Sequence, residues 1–110
     1  LVKDAKIIEG NIAISICKDN DSNVPLVVAQ AADELLNING INASFVLAKI
    51  DDDVIVSGRS IGNINVQLIL EKLGGGGHLS IAGARIVGVS LREAENMLID
   101  TIKEYNEEGD

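Results

Sequence analysis

Strand-type and helix-type hydrophobic patterns alternate along almost the whole chain, and this alternation constrains the fold more than any other feature. Isoleucines alternate with smaller residues in "NIAISIC" at 11–17, which predicts a half-buried strand. Apolar residues then recur at helical spacing over 24–38, and Asn23 with Pro25 is typical of a helix cap and first turn. The sequence "NGIN" at 39–42 ends this predicted helix.

The rest of the chain continues the alternation. The further predicted elements are two strands, a helix, a strand and a helix, at 43–50, 54–60, 65–74, 83–89 and 91 to about 105. The tight acidic turn 51–53 makes the first two strands a hairpin. Asn65 is the expected cap and Gly74 the expected terminator of the middle helix, while Ser90 and Glu93 form a capping box for the last.

The order β-α-β-β-α-β-α predicts one compact α/β domain over 1–110, with a mixed β-sheet and helices packed on its faces. Its first β-α-β unit is expected to be a parallel crossover. The composition agrees, because 46% of the residues are hydrophobic while Phe45 and Tyr105 are the only aromatic ones. A core of Ile, Leu, Val and Ala favours an α/β layer fold. Since the chain begins with Leu1, we expect it to be an excerpt of a longer protein.

The charge and the single cysteine exclude several classes of protein. A net charge of −8 argues against general binding of duplex nucleic acid, which depends on a surplus of Lys and Arg, although a local anion site stays compatible with it. Cys17 cannot form an internal disulfide and is expected to be a buried, inert thiol in a reducing compartment. No apolar run approaches the roughly 20 residues that span a bilayer.

Motifs for metal binding and catalysis are weak. The one histidine and the one cysteine lie far apart, and the acidic turn 51–53 is predicted to be a solvated hairpin tip. The sequence also lacks a Ser-His-Asp order, a paired acid within a helix and a P-loop lysine. We therefore expect no complete catalytic apparatus and no metal site in this chain.

Four consecutive glycines, 74–77, directly precede His78. Ordered glycines are costly, and a glycine run can present bare backbone N–H groups to an anion. The surrounding segment 54–92 carries four basic residues against the single acid Glu71, a local balance of +3. His78 can donate a hydrogen bond at the rim of such a site, and Arg59 can supply a planar fork for a phosphate.

Simpler interpretations remain open at each of these positions. Gly74 can be only a helix terminator and Asn65 only a cap without ligand contact. His78 can be a solvated loop residue, and Arg59 a surface charge. Arg85 and Arg92 are more simply a sheet-edge charge and a helix-face charge.

The stretch "SGRSIGNINVQLILEKLGGGGHLSIAGARI" at 57–86 resembles the signature of the DHH-associated C-terminal domain, the substrate-binding half of DHH phosphoesterases. The resemblance covers essentially the whole chain and is greatest to the cyclic-di-AMP phosphodiesterase branch. One departure is Gly83 in "IAGA", where that branch often has a second alanine. This form is also common in the oligonucleotide branch of the superfamily.

The resemblance implies a set of substrate-binding residues: Ser57, Arg59, Ser60, Asn65, Gly75, Gly76, Gly77 and His78. In such enzymes the glycine loop binds the non-scissile phosphate and its histidine lies near the catalytic cleft. A separate DHH domain, expected upstream, holds two manganese ions on Asp and His ligands. No residue here matches those ligands, so this chain is expected to bind no metal, to contain no catalytic residue and to be inactive alone.

The function implied for the parent protein is hydrolysis of cyclic-di-AMP to linear pApA, in bacterial signalling. One alternative is an oligoribonuclease and 3′-phosphoadenosine-5′-phosphate phosphatase of the same superfamily, and another is a non-catalytic nucleotide-sensing module. The expected partners are a cyclic or short linear nucleotide and the DHH domain of the same chain, with a homodimer left open. The domain is expected in the cytoplasm, and the parent is expected to be anchored in the membrane.

Overall fold

The computed structural model of the protein describes residues 5–17 and 23–108, over which six strands and three helices follow one another. In chain order these are β1 (Lys6–Ile8), β2 (Ile12–Cys17), α1 (Val24–Leu36), β3 (Ala43–Ile50), β4 (Asp53–Ser60), α2 (Val66–Glu71), β5 (Gly76–Gly77), β6 (Ile81–Ile86) and α3 (Leu91–Glu108).

The six strands form one mixed sheet in the order β1-β2-β3-β4-β6-β5. The strands β2 and β3 are parallel and are joined through α1, with Ile12 paired to Ala43, which confirms the predicted parallel crossover. All other neighbouring strands are antiparallel. The β3–β4 hairpin closes at the pair Ile50 and Asp53, and Asp51 in its turn has a φ of 54°.

Helices cover both faces of the sheet, and the alternation along β3 shows how they divide it. Phe45 and Leu47 point into a core shared with α2 and α3, whereas Val46 and Ala48 point into a smaller core beneath α1. Phe45, the only phenylalanine, is fully buried. Residues with such complete burial each contribute about 1.5–3 kcal/mol of hydrophobic stabilisation, so the sheet is held from both sides.

The predicted fold class is confirmed, and two short strands add to it. The sequence does not predict β1 or β5, which contain only three and two residues. Cys17 is buried in β2, as predicted. Within the described ranges, no helix is long and apolar enough to cross a membrane.

The predicted strand 83–89 was wrong in its bounds, because β6 runs from Ile81 to Ile86. Its two valines after Ile86 favour a strand by composition. However, Gly88 has a φ of 72° and turns the chain towards α3. The Gly88 N–H donates to Oδ1 of Asp53 at 3.1 Å, so it bonds to a side chain after the strand has ended.

Candidate functional site

One part of the sheet is left without a helix over it. α1 packs against β2, β3 and β4, while α2 packs on the opposite face of β4, β6 and β5. On β6, Ala82 and Ile86 are buried on the α2 side, whereas the alternating residues on the α1 side are exposed. We call this α1-side surface the open face; it consists of Ser57 and Arg59, which are partly exposed at its border with α1, and of Gly76, Ile81, Gly83 and Arg85.

The strand register brings residues that are distant in sequence into two rows across the open face. Ser57 is paired with Gly83, and Gly83 is paired with Gly76 on the edge strand β5. Because neighbouring strands lie about 4.8 Å apart, Ser57 and Gly76 are separated by about 10 Å. In the second row, Arg59 is paired with Ile81, whose carbonyl accepts the His78 N–H at 2.7 Å. The structure therefore places Arg59 and Ser57 on the same face of the sheet as Gly76, with β6 between them.

The first glycine of the run ends α2, as predicted. Gly74 has a φ of 89°, a conformation that L-residues with a side chain rarely adopt. Its N–H donates to the Glu71 carbonyl at 3.1 Å, and the Gly75 N–H donates to the Leu70 carbonyl at 2.8 Å. These two bonds form a Schellman arrangement, which satisfies carbonyls that the end of the helix leaves unpaired.

The next three glycines differ from one another. A Cβ on Gly75 would collide with the Gly83 carbonyl, and a Cβ on Gly77 would lie 2.5 Å from the Ile81 carbonyl. The close packing of β5 on β6 therefore requires glycine at both positions. A Cβ on Gly76 would meet no atom of the described chain within 4 Å. Gly76 is thus the glycine in this run that neither close packing nor a positive φ requires, and it belongs to the open face.

His78 lies on a short hairpin that is held by backbone hydrogen bonds. The Ser60 N–H donates to the Ser80 carbonyl at 2.9 Å, and the Val66 N–H donates to the Leu79 carbonyl at 3.0 Å. The turn at 79–80 is therefore fixed to the end of β4 and to the start of α2. His78 itself is exposed at the rim of the open face.

Asn65 is the N-cap of α2, as predicted. Its Oδ1 accepts the Leu68 N–H at 3.0 Å, and its own N–H donates to the Tyr105 hydroxyl at 2.9 Å. The capping interpretation of Asn65 is therefore confirmed, and its contact with a ligand stays a prediction.

The Ser60 side chain points to the opposite face of the sheet from Ser57 and Arg59. It is buried on the α2 side of β4, and its hydroxyl accepts the Gly62 N–H at 3.2 Å. Residues alternate along a strand, so Ser57 and Arg59 face one way and Ser60 faces the other. Ser60 therefore supports the loop after β4 and does not line the open face, and its contact with a ligand stays a prediction.

Arg59 is held in place and is not a free surface charge. Its Nε donates to Oδ1 of Asp33 on α1 at 2.8 Å, and its Nη1 donates to the Gly58 carbonyl at 2.9 Å. The Arg59 side chain is only 13% exposed, compared with 62% for Asp33. The sequence does not point to Asp33, because an exposed acid on an amphipathic helix carries no local signal that it contacts a strand.

The positive balance of the segment 54–92 does not produce a positive surface. Three of its four basic side chains pair with acids from outside the segment: Arg59 with Asp33 at 2.8 Å, Arg85 with Asp53 at 2.8 Å and Lys72 with Glu108 at 3.6 Å. The expectation of a locally basic strip was therefore wrong, because partners distant in sequence neutralise it. The Arg85 guanidinium, with help from the Gly88 N–H, also lowers the pKa of the Asp53 carboxyl.

The described residues do not fit a metal centre. Over 5–17 and 23–108 there is no group of three or more His, Cys, Asp or Glu side chains that could hold a metal ion. In the acidic turn, Asp51 and Asp52 are exposed, whereas Asp53 is engaged by Arg85.

Comparisons with known proteins find relatives over nearly the whole chain. The family model described as the DHHA1 domain matches residues 9–108. The chain is 44% identical over 110 residues to the cyclic-di-AMP phosphodiesterase GdpP of Geobacillus thermodenitrificans, covering 99% of this chain and 17% of that protein. It is 43% identical over 106 residues to the cyclic-di-AMP phosphodiesterase PdeA of Listeria monocytogenes, covering 96% of this chain and 16% of that protein. The chain thus spans about a sixth of the length of these relatives.

A solved structure shares the fold. The exopolyphosphatase-related protein from Bacteroides fragilis superimposes with a TM-score of 0.70 at 19% identity, covering 92% of this chain and 31% of that chain. At this identity the similarity concerns the arrangement of strands and helices alone.

Proposed function

Because the chain belongs to the DHHA1 domain family of DHH phosphoesterases, we propose that it is the substrate-binding domain of a phosphodiesterase that opens cyclic-di-AMP to linear pApA. The observation that carries this proposal is the register of β4, β6 and β5, which places Arg59, Ser57 and Gly76 on one uncovered face. Two relatives named as cyclic-di-AMP phosphodiesterases support the choice of substrate.

The open face offers several groups that bind phosphate. Arg59 supplies guanidinium N–H donors, and Ser57 supplies a hydroxyl. Gly76 and Gly83 carry no side chain, so a phosphate can approach the main chain of β5 and β6 closely. His78 at the rim adds an imidazole that can donate to a phosphate oxygen.

The proposal divides labour between two domains. This chain binds the nucleotide and orients it, whereas cleavage of the phosphodiester is assigned to a separate DHH domain. The two manganese ions expected on that domain would supply an activated water molecule for the attack. The described residues of this chain do not fit such ions, so no step is assigned to a metal here.

Titration of the 110-residue chain with cyclic-di-AMP and with pApA, followed by calorimetry, tests the binding function. We expect saturable binding, and we expect Arg59→Ala to weaken it about tenfold or more, because a charge-assisted hydrogen bond to phosphate is lost. Arg92→Ala is the matched control, since it removes the same charge from an exposed position on α3. Equal nucleotide affinity of the two variants would show that Arg59 does not contribute to binding.

Turnover by the full-length protein decides between the remaining functions. Faster cleavage of cyclic-di-AMP than of a linear dinucleotide supports the proposal. The second candidate is hydrolysis of short linear oligoribonucleotides, which Gly83 favours because that form is common in the oligonucleotide branch. Preference for the linear dinucleotide would establish it. Binding without any turnover would indicate a nucleotide-sensing module, and no response in either assay would reject the proposal.

A further inference from the structure

The contact between Asp33 and Arg59 joins α1 to the border of the open face. Asp33 lies in the last turns of α1, and Arg59 lies at the end of β4, where the sheet emerges from beneath the helix. Their side chains meet at 2.8 Å, between Nε of the arginine and Oδ1 of the aspartate. Arg59 is the more buried partner, with 13% of its side chain exposed. Its long side chain therefore lies against the protein and is paired with Asp33.

The way in which the carboxylate meets the guanidinium is specific. An arginine has five N–H groups, and a carboxylate can occupy two of them side by side, as a phosphate does. Here Asp33 engages Nε, and the Gly58 carbonyl engages Nη1 at 2.9 Å. Among the described residues, the hydrogen bonds of Arg59 thus use Nε and Nη1. Within the same ranges no acceptor engages the terminal Nη2 group, which can therefore donate to a ligand.

We propose that Asp33 is a positioning residue for nucleotide recognition: it fixes the guanidinium of Arg59 through Nε so that Nη2 meets a phosphate oxygen of the ligand on the open face. This inference rests on the proposed function and extends it to a residue on a different element. Asp33 does not touch the ligand; it acts by keeping Arg59 in one orientation. Without it, Arg59 must be ordered when the ligand binds, which weakens affinity.

The opposite role for Asp33 makes a different prediction. If the carboxylate were an internal competitor for the phosphate, every variant that removes its charge would bind nucleotide more tightly. If it positions Arg59, Asp33→Asn keeps an Oδ1 acceptor for Nε and binds as tightly as the wild type, or up to about threefold more tightly because a nearby negative charge is gone. Asp33→Ala loses the acceptor and binds about threefold to tenfold more weakly. The order of the three affinities therefore separates the two roles.

The experiment measures the dissociation constant of cyclic-di-AMP for the wild-type chain, Asp33→Asn, Asp33→Ala and Arg59→Ala by calorimetry, with thermal unfolding to confirm that each variant is folded. Glu34→Ala is the matched control, because it removes an exposed acid from the adjacent position of α1. A second readout is the NMR signal of the Arg59 Nε–H in the free chain. We expect it to be protected from exchange in the wild type and in Asp33→Asn and to broaden in Asp33→Ala.

The outcomes are distinguishable from those of the proposed function. Weaker binding by Asp33→Ala, with wild-type affinity in Asp33→Asn and Glu34→Ala, supports the proposal. If Arg59→Ala loses binding but Asp33→Ala does not, Asp33 has no positioning role and the proposed function stands. Tighter binding by both Asp33 variants would overturn the proposal in favour of competition. Absence of nucleotide binding by the wild-type chain in these titrations and of turnover by the full-length protein would overturn both together.

Discussion

The Tyr105 hydroxyl accepts a hydrogen bond from the backbone N–H of Asn65 at 2.9 Å, so the last helix holds the start of α2. Tyr105 comes from α3, 40 residues further along the chain. The same Asn65 caps α2 with its side chain. Asn65 therefore links α2 to α3.

Replacing Tyr105 with phenylalanine should weaken this link. The Asn65 N–H loses its acceptor while the aromatic ring stays in place, so we expect a loss of about 1 kcal/mol in the free energy of unfolding. Urea denaturation of Tyr105→Phe measures this loss. Amide exchange should accelerate at Asn65 and not in the first turns of α3. An unchanged denaturation midpoint would show that water replaces the tyrosine hydroxyl without loss.

Substitutions within the glycine run should separate the needs of the fold from those of the ligand. Gly77→Ala forces a Cβ against the Ile81 carbonyl at a φ of 147°, so we expect a loss of about 1–3 kcal/mol in stability. Gly76→Ala places its Cβ in open space, and its stability should stay within about 0.5 kcal/mol of the wild type. Thermal unfolding measures both. If phosphate binds there, Gly76→Ala should still weaken nucleotide affinity, and normal affinity would place the ligand elsewhere.

Asn65 can be tested without disturbing its cap. Aspartate caps helices as well as asparagine does, so Asn65→Asp should keep its stability within about 0.5 kcal/mol of the wild type. Because aspartate adds a negative charge, we expect it to bind the anionic nucleotide more weakly if Asn65 contacts the ligand. Asn65→Ala is the comparison and should lose about 1 kcal/mol of stability. Wild-type affinity in Asn65→Asp would leave Asn65 with a capping role alone.

The ion pair of Asp53 and Arg85 should make the stability of the protein depend on pH at acidic pH. The folded-state pKa of the Asp53 carboxyl lies below the ordinary value of about 3.9. The carboxyl of Asp53 is therefore protonated more readily in the unfolded chain than in the folded one. The stabilisation is present above about pH 4 and is lost as the pH falls through the folded-state pKa. We expect Asp53→Asn to flatten thermal stability over this window. Asp52→Asn in the same exposed turn is the control, and equal curves for the two variants would contradict the assignment.

The sequence predicts those elements that are determined by residues near one another in the chain. The helices and longer strands follow from periodicity, and the Asn65 cap and Gly74 terminator follow from local backbone chemistry. By contrast, β5 consists of two glycines, which have no side-chain pattern. It is a strand because β6 pairs with it, and only the folded chain contains that pairing.

Some residues of the candidate site can be predicted from the sequence, whereas others can be identified only in the folded chain. The motif residues around Arg59 and the glycine segment can be found in the sequence, and strand alternation alone separates Ser60 from Ser57 and Arg59. The roles of Asp33 and Tyr105 cannot be predicted from the sequence, because each contacts a partner that only the folded chain brings close. The predicted basic strip failed for this reason as well, since its neutralising acids lie on other elements.

The shortness of the outer strands protects the sheet from self-association. A long exposed edge strand is a template on which another copy can add its own strand, and proteins often guard such edges with charges or prolines. In the described part of the chain the two edges are β1, with three residues including Lys6, and β5, with two glycines. Two residues offer too few main-chain bonds to capture a neighbouring strand. The protein can therefore leave a bare glycine backbone at its rim, within reach of a small ligand, without inviting aggregation.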